Sequence, residues 1–237
     1  MIRQANVALT LARRELRQGL SGFRIFLACL ILGVASIATV GSLSSAMIEG
    51  LSAEGQRLLG GDVEIRLVHR EMDDKEMKWL RDQGTISMVA DTRTEAISLD
   101  GKSRSSIELK AVDRFYPLYG KADVSPREPL GELFANREGV FGAAVEQRLL
   151  KKMGLKEGDV VKIGDARFML RAVIVQEPDR IAGGFSTGPR VLISEFAFRA
   201  TGLIRPGSLI NFSYRIALPQ EITSREGVAN FVKYVKD

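Results

Sequence analysis

The residues with the most chemical promise are Gly184-Phe185-Ser186-Thr187-Gly188. Gly-x-Ser-x-Gly is the pattern of a nucleophile elbow, a strained turn between strand and helix that lifts a serine toward a histidine base. Two features argue against that chemistry here. The single histidine, His69, precedes the serine, whereas α/β-hydrolases carry theirs after it. The following Pro189-Arg-Val-Leu-Ile193 reads as a strand, not as the helix an elbow requires. One histidine and one cysteine, Cys29, cannot build a zinc cluster. No Gly-x-x-x-x-Gly-Lys-Ser/Thr pattern occurs, so the chain carries no P-loop for nucleotide hydrolysis. Asp159 and Asp165 fall in turn-like stretches, where aspartate bonds its own backbone. The expectation is therefore no catalytic residue, no cofactor and no metal ligand.

The dominant signal lies elsewhere. Between Arg24 and Glu49 there is no charged residue. Residues 25–48 form an apolar run long enough for a helix to cross the ~30 Å hydrocarbon core, which takes ~20 residues. Arg3, Arg13, Arg14, Arg17 and Arg24 precede it, against Glu15 alone, while Glu49, Glu54, Asp62 and Glu64 follow. Arginine-rich flanks stay cytoplasmic, so the expected topology is N-terminus inside and C-terminal domain outside. Nearly all of the chain's net charge of +5 lies in this first part. A nucleic-acid binder would carry its basic patch on the folded domain, so nucleic acid is excluded as a partner. A cleaved signal peptide is the rival reading, but its apolar region is ~7–15 residues and follows a short basic start. A retained helix fits better.

Small residues crowd the span, and packing is what joins helices in lipid. Cys29, Gly33 and Ser36 recur at spacings of four and three, so they share one face and are the candidate helix-packing residues. Ordinary glycine and alanine usage in a membrane helix is the alternative. Upstream, residues 1–24 read as a basic amphipathic elbow lying in the cytoplasmic interface. Arg13, Arg14 and Arg17 are its candidate contacts, either to anionic lipid or to an ATPase partner.

Beyond the span, residues 49–61 are expected to continue as a helical stalk ended by Gly60-Gly61. Residues 62–237 then read as one α+β domain. Residues 62–69 alternate as a strand. Residues 73–83 form a helix, with Asp73 and Glu76 at capping-box spacing. Short strands are expected near 86–90, 94–99 and 105–112, with Asp100-Gly101 as a turn. Residues 113–139 read as an irregular connection, and 143–153 as a helix closed by Gly154. A hairpin at Gly164-Asp165 joins strands over 160–163 and 167–175. A strand over 189–194 leads into a short helix capped by Ser194. Another strand spans 211–218, and Thr223 with Glu226 opens a C-terminal helix.

Several of these segments carry a resemblance. They are Leu11-Ala-Arg-Arg-Glu-Leu-Arg17, the small-rich span, Leu58-Leu-Gly-Gly-Asp-Val-Glu64 and Arg148 to Val160 with its Gly154-Leu-Lys-Glu-Gly-Asp159 core. Further along come Ile163-Gly-Asp-Ala166, Val175-Gln-Glu-Pro-Asp179, Phe185 to Arg190 and Thr201-Gly-Leu-Ile-Arg-Pro-Gly-Ser208. Together they resemble the N-terminal part of FtsX-like ABC-transporter permeases with a MacB-like periplasmic core domain, in the YbbP-like branch. The resemblance implies one N-terminal transmembrane α-helix plus an α+β periplasmic domain, in a bacterial inner membrane. It also implies a cytoplasmic ABC ATPase subunit as partner, the lipid bilayer as surroundings, and a lipid or lipoprotein-like substrate. The chain is then the N-terminal fragment of a longer permease for export or extraction. The alternative is a membrane-anchored periplasmic binding or sensor module without transport activity.

Overall fold

The computed structural model describes residues 23–44, 60–179, 188–219 and 225–236. By its contacts the chain divides into two units, Met1–Ala53 and Glu54–Asp237.

In the first unit the described residues form one helix, α1 (Phe23–Ser44), long and apolar enough to cross a membrane. Its side chains are exposed along its length, Ile37 and Leu32 among the most. Ser36 Oγ donates to Leu32 O and Thr39 Oγ1 to Ala35 O, both at 2.7 Å, so these hydroxyls find acceptors within the helix itself. The stalk expected over 49–61, and the elbow over 1–24 apart from its last two residues, lie outside the described residues, save Gly60 and Gly61.

Among the described residues the second unit is built on nine strands: β1 (Val63–Val68), β2 (Thr85–Ser98), β3 (Arg104–Val112), β4 (Asp123–Ser125), β5 (Phe141–Val145), β6 (Val160–Ile163), β7 (Ala166–Gln176), β8 (Arg190–Ser194) and β9 (Asn211–Ala217). Interleaved are the helices α2 (Asp74–Gln83), α3 (Leu130–Leu133), α4 (Gln147–Met153), α5 (Glu195–Ala200) and α6 (Arg225–Lys236). The strand order is β1-β9-β2-β3-β8-β5-β7-β4, and β6 pairs with both β2 and β7. That last strand closes a ring of β2, β3, β8, β5, β7 and β6. Outside the ring, β9 and β1 extend the sheet from β2, and β4 pairs with β7.

Closure explains the length of β2. Its first half pairs with β9 and its last residues with β6, while β3 runs along both. One continuous strand thus replaces the two expected over 86–90 and 94–99. Charged and polar residues at 91–95 lower the local hydropathy but keep their backbone bonds to β3.

The inward faces of these strands carry the main core. Ile107, Leu109, Val191, Ile193, Phe168 and Leu170 are fully or almost fully buried there. Leu149, Leu150 and Met153 of α4 and Phe198 of α5 join that cluster. The expected helix over 143–153 is corrected in its first part. Phe141–Val145 is a strand, inserted between β8 and β7, and helix starts only at Gln147. Alanine favours helix as an isolated residue, but Ala143 and Ala144 sit fully buried where two neighbouring strands need ladder partners. The connection over 113–139 is not wholly irregular either, since β4 and α3 lie within it.

Local signals behave as expected elsewhere. Asp73 accepts from Lys75 N and Glu76 N, and Glu76 returns a carboxylate to Asp73 N, a complete capping box. Arg70, bonded at 2.9 Å, holds the Glu76 carboxyl down at about 2. Gly154 closes α4 with φ 67°, and Ser194 caps α5. The C-terminal helix forms, although its expected cap at Thr223 lies outside the described residues.

Two substitutions test this packing, read by urea unfolding through the single tryptophan, Trp79, which stacks on Phe231. Asp73→Ala removes the N-cap and is expected to cost about 1 kcal/mol. Gly142→Ala would set a methyl 1.7 Å from Leu133 O, so α3 must shift. Its cost is expected to reach or exceed the ~1–3 kcal/mol of ordinary overpacking.

Candidate functional site

Strand alternation sends one set of residues inward and the other to the outer face of the sheet. On that outer face the register brings together Glu64, Arg215, Asp91, Lys110, Glu108 and Arg190. Glu64 lies opposite Arg215, Asp91 opposite Lys110, and Glu108 opposite Arg190. A charged stripe on an outer face is normally solvated. Here Lys110, Arg190 and Arg215 are only 2%, 6% and 4% exposed, because the Glu177-Pro178-Asp179 segment after β7 lies across them.

Lys110 is the centre. Its Nζ donates to Glu177 Oε1 at 2.6 Å, to both Asp179 oxygens at 2.7 and 2.8 Å, and to Tyr116 OH at 3.1 Å. The ammonium also lies 4.7 Å from the Tyr116 ring centroid, a cation–π distance. Tyr116 OH donates in turn to Asp179 Oδ1 at 2.6 Å, and Arg215 Nη1 completes the ring around Asp179. Next to it, Arg190 Nη1 binds Asp91 at 2.8 Å, with Glu108 and Glu177 each 3.7 Å from the guanidinium. Arg66 and Arg93 reach Glu64 and Glu108 from the exposed side. Five cations thus meet five carboxylates, and the cluster is neutral as a set.

Electrostatics follow from that enclosure. Burial pushes the Asp179 carboxyl up, but Lys110 and Arg215 outweigh it and hold the group well below the usual carboxylate range. Burial and the same carboxylates push the Tyr116 phenol far up, so it remains a donor. Asp91, at the rim, is pushed up by burial against the pull of Lys110 and Arg190. Three polar atoms in the cluster, Glu177 Oε2, Arg190 Nε and Arg215 Nε, are buried without a hydrogen bond. Above the cluster lies a depression of about 450 Å³ bounded by Asp91, Arg93, Arg190, Asn211 and Arg215.

Chemically this is a lock. A nucleophile or general base needs an open side, and the Lys110 ammonium and the Asp179 carboxylate spend their bonding capacity on each other. Among the described residues no group of three or more His, Cys, Asp or Glu could hold a metal ion. A larger groove of about 1090 Å³ lies on another part of the domain, between α2, α3 and α5, with Met72, Phe115 and Phe134 in its wall and a Glu71–Arg199 ion pair at its side.

Two of the motifs behind the resemblance meet at the lock. Glu177-Pro178-Asp179 supplies two of its carboxylates. In Gly60-Gly61-Asp62-Val63-Glu64, a Cβ on either glycine would come within 3.1–3.3 Å of the Arg215 side chain, so the pair leaves room for that guanidinium. Asp62 accepts from Tyr119 OH and Leu218 N at 2.9 and 2.8 Å, and Glu64 lies 3.9 Å from Arg215. Gly202 to Ser208 is a self-bonded loop in which Ser208 Oγ donates to Leu203 O at 2.8 Å. It joins the 164–165 hairpin through the bond from Asp165 N to Thr201 O.

The residues singled out for helix packing fall together. Cys29, Gly33 and Ser36 share α1, Cys29 is exposed, and a Cβ on Gly33 would meet nothing within 4 Å. Arg13, Arg14, Arg17 and Ser186 lie outside the described residues. His69 ends β1 with φ 69°, its Nδ1 3.0 Å from Ser208 O. Sequence reasoning assigned Lys110, Arg190 and Arg215 no role. The available signal was weak: each is a cation at an alternating position of a strand, and alternation alone reads that as a solvated face.

No family model matches the chain. An uncharacterised ABC transporter permease of Escherichia coli K12, YbbP, is 26% identical over 186 residues, covering 78% of this chain and 22% of its own length. The chain therefore spans about a fifth of that relative. The permease resemblance carried by the motifs is borne out by this match. Similar solved domains include the extracellular domain of the ABC-type transporter YknZ from Gram-positive bacteria, with TM-score 0.45 and 13% identity, covering 70% of this chain and 84% of that one. The periplasmic region of MacB from Actinobacillus actinomycetemcomitans aligns with TM-score 0.44 and 9% identity, over 76% and 86%. The architecture is an apolar N-terminal helix and a mixed α/β domain, the class expected from the sequence.

Removing one charge from the lock leaves its partners buried and uncompensated. Lys110→Met is expected to cost about 3–5 kcal/mol in urea unfolding. Tyr116→Phe, which deletes one bond to a carboxylate, is expected to cost about 1.5–3 kcal/mol. The Asp179 carboxyl sits lower in the folded chain than in the unfolded one. Its contribution is thus present above the usual aspartate value near 3.8 and lost as pH falls through the folded value. Asp179→Asn should therefore lower stability at neutral pH and make its acid loss shallower.

Proposed function

We propose that the chain is the N-terminal part of a permease in an ABC-type export or extraction system. In this reading α1 crosses the bacterial cytoplasmic membrane with residues 1–24 inside, as an elbow beside a cytoplasmic ABC ATPase. Residues 62–237 stand on the outer side, joined through a stalk at 49–61. Nucleotide-driven movement at the elbow passes along α1 and the stalk to the outer domain. No substrate is assigned.

The observation that carries the reading is the sequence match to an ABC transporter permease over 186 residues, 78% of the chain. Two properties of the chain support it. Arginines cluster before the apolar helix and acidic residues after it, the pattern of an inside N-terminus. The outer domain holds a neutral ion lock buried on one face of its sheet. Such a lock suits a body that transmits displacement, since packed, paired interiors resist deformation.

Small residues at Cys29, Gly33 and Ser36 are where α1 would meet neighbouring helices. Arg13 and Arg17, one helical turn apart, are where the elbow would meet the ATPase. Lipid attraction would tolerate lysine at these positions, whereas a directional contact needs arginine's planar fork.

Three measurements test the reading. Alkaline phosphatase fused after Asp237 is expected to be active, and activity of a cytoplasmic reporter at that site would reverse the topology. Arg→Lys at 13 and 17 is expected to preserve insertion but lower recovery of the ATPase with the permease; unchanged recovery would reduce the elbow to a lipid flank. Gly33→Leu is expected to impair assembly by the ~1–3 kcal/mol of an overpacked interface, and wild-type assembly would leave α1 a solitary anchor.

A further inference from the structure

β1 is the outermost strand of the sheet on the β9 side. His69 N donates to Ile210 O at 3.0 Å, and the antiparallel register carries that phase back through Leu67, Ile65 and Val63. The odd residues therefore turn their N–H and C=O groups to β9. The even residues, Glu64, Arg66 and Val68, turn theirs outward. Among the described residues no strand pairs with that outer side. A free edge is a template for another strand, and sheets usually blunt it with charged side chains, lysine above all, with proline or with a bulge. Val63-Glu-Ile-Arg-Leu-Val68 has neither lysine nor proline, and its pairing with β9 is unbroken.

The sequence of this edge is complementary to itself. Turned antiparallel about Ile65, a second copy sets Ile65 against Ile65, Val63 against Leu67 and Glu64 against Arg66, twice by symmetry. The backbone phase agrees, because Glu64 and Arg66 are the residues whose amides and carbonyls face outward. Ile65 and Leu67 are half-buried and pack against the main core, so the apolar side of the sheet would continue across the junction. Glu64 and Arg66 already lie 3.2 Å apart within one chain, with Arg66 half exposed and able to reach across. Opposite charges directly across an antiparallel pair stabilise it and like charges destabilise it.

The geometry points to β1 as the surface through which two copies of this chain pair, joining their sheets edge to edge about a two-fold axis at Ile65. The contact is isologous and closes after two subunits. It is a short ribbon, so it acts where the chains are already concentrated, in a membrane, where tethering raises their effective concentration. This inference concerns the outer domain alone and stands whether or not an ATPase partner is found.

Cysteine cross-linking of the full chain in membrane vesicles tests it, in a Cys29→Ala background so that the introduced thiol is the only one. Facing residues of a non-hydrogen-bonded antiparallel pair have Cα atoms about 4.5 Å apart, within disulfide range. Ile65→Cys, oxidised with copper phenanthroline, is expected to shift most of the chain to the mass of two chains. Val68→Cys, equally on the edge but off the axis, is expected to stay at the mass of one. Adding Arg66→Glu to Ile65→Cys sets like charges opposite each other and is expected to abolish the shift. Trp79 emission confirms folding of each variant. If Ile65→Cys fails that check, co-expressed Glu64→Cys and Arg66→Cys chains replace it, and they should link only with each other. A folded Ile65→Cys chain that stays at the mass of one chain overturns the proposal. So does a link equally strong at Val68→Cys, or one indifferent to Arg66→Glu.

Discussion

The folded domain depends on one constraint: a lysine ammonium buried on the wrong side of a sheet must be neutralised on every side. Lys110 is almost wholly out of solvent on a face that alternation would have left wet. Isolated, such a charge would be strongly destabilising. The remedy draws residues from five strands and from the segment after β7. Glu177 and Asp179 saturate the ammonium, Arg215 and Tyr116 saturate Asp179, and Arg190 fastens Asp91 and Glu108 beside them. Buried ion pairs are weak sources of net stability, since desolvation offsets most of their attraction. Their effect is conditional: with all partners present the face is neutral, and with one missing the rest are stranded.

This conditionality ties distant segments together. The lock fixes β1, β9, β2, β3 and β8 to the segment that carries Glu177 and Asp179. The closed ring of six strands does the same on the inward side through apolar packing. The two together leave little freedom for strands to slide. The same closure leaves β1 as the one long strand whose outer side is bare among the described residues. A sheet that closes on itself has few edges, so the edge that remains is a natural place for contact between chains.

Much of the local structure was legible in the sequence because it rests on short-range physics. The capping box of α2 needs only Asp73 and Glu76 three residues apart. The 164–165 hairpin needs a glycine between two alternating runs, and Gly154 ends α4 because glycine takes φ 67° without penalty. The apolar length of α1 and the arginines before it follow from composition alone. The resemblance to permeases was likewise readable as ordered motifs, though not what those motifs do.

The errors share one cause. Ala143 and Ala144 favour helix locally, yet two distant strands, β8 and β7, claim their backbone groups. Residues 91–93 look like a break, yet β3 carries the ladder through them. Lys110, Arg190 and Arg215 look like solvated cations, yet a segment some seventy residues beyond Lys110 covers it. The apolar N-terminal helix, the caps and turns, and the class of the folded domain could be read from the sequence, because these depend on neighbours within a few positions. Which strands meet, which face is buried and which charges neutralise one another emerge only in the folded chain. Those depend on contacts between residues far apart in the chain, and alternation cannot say whether the far side of a strand meets water or protein.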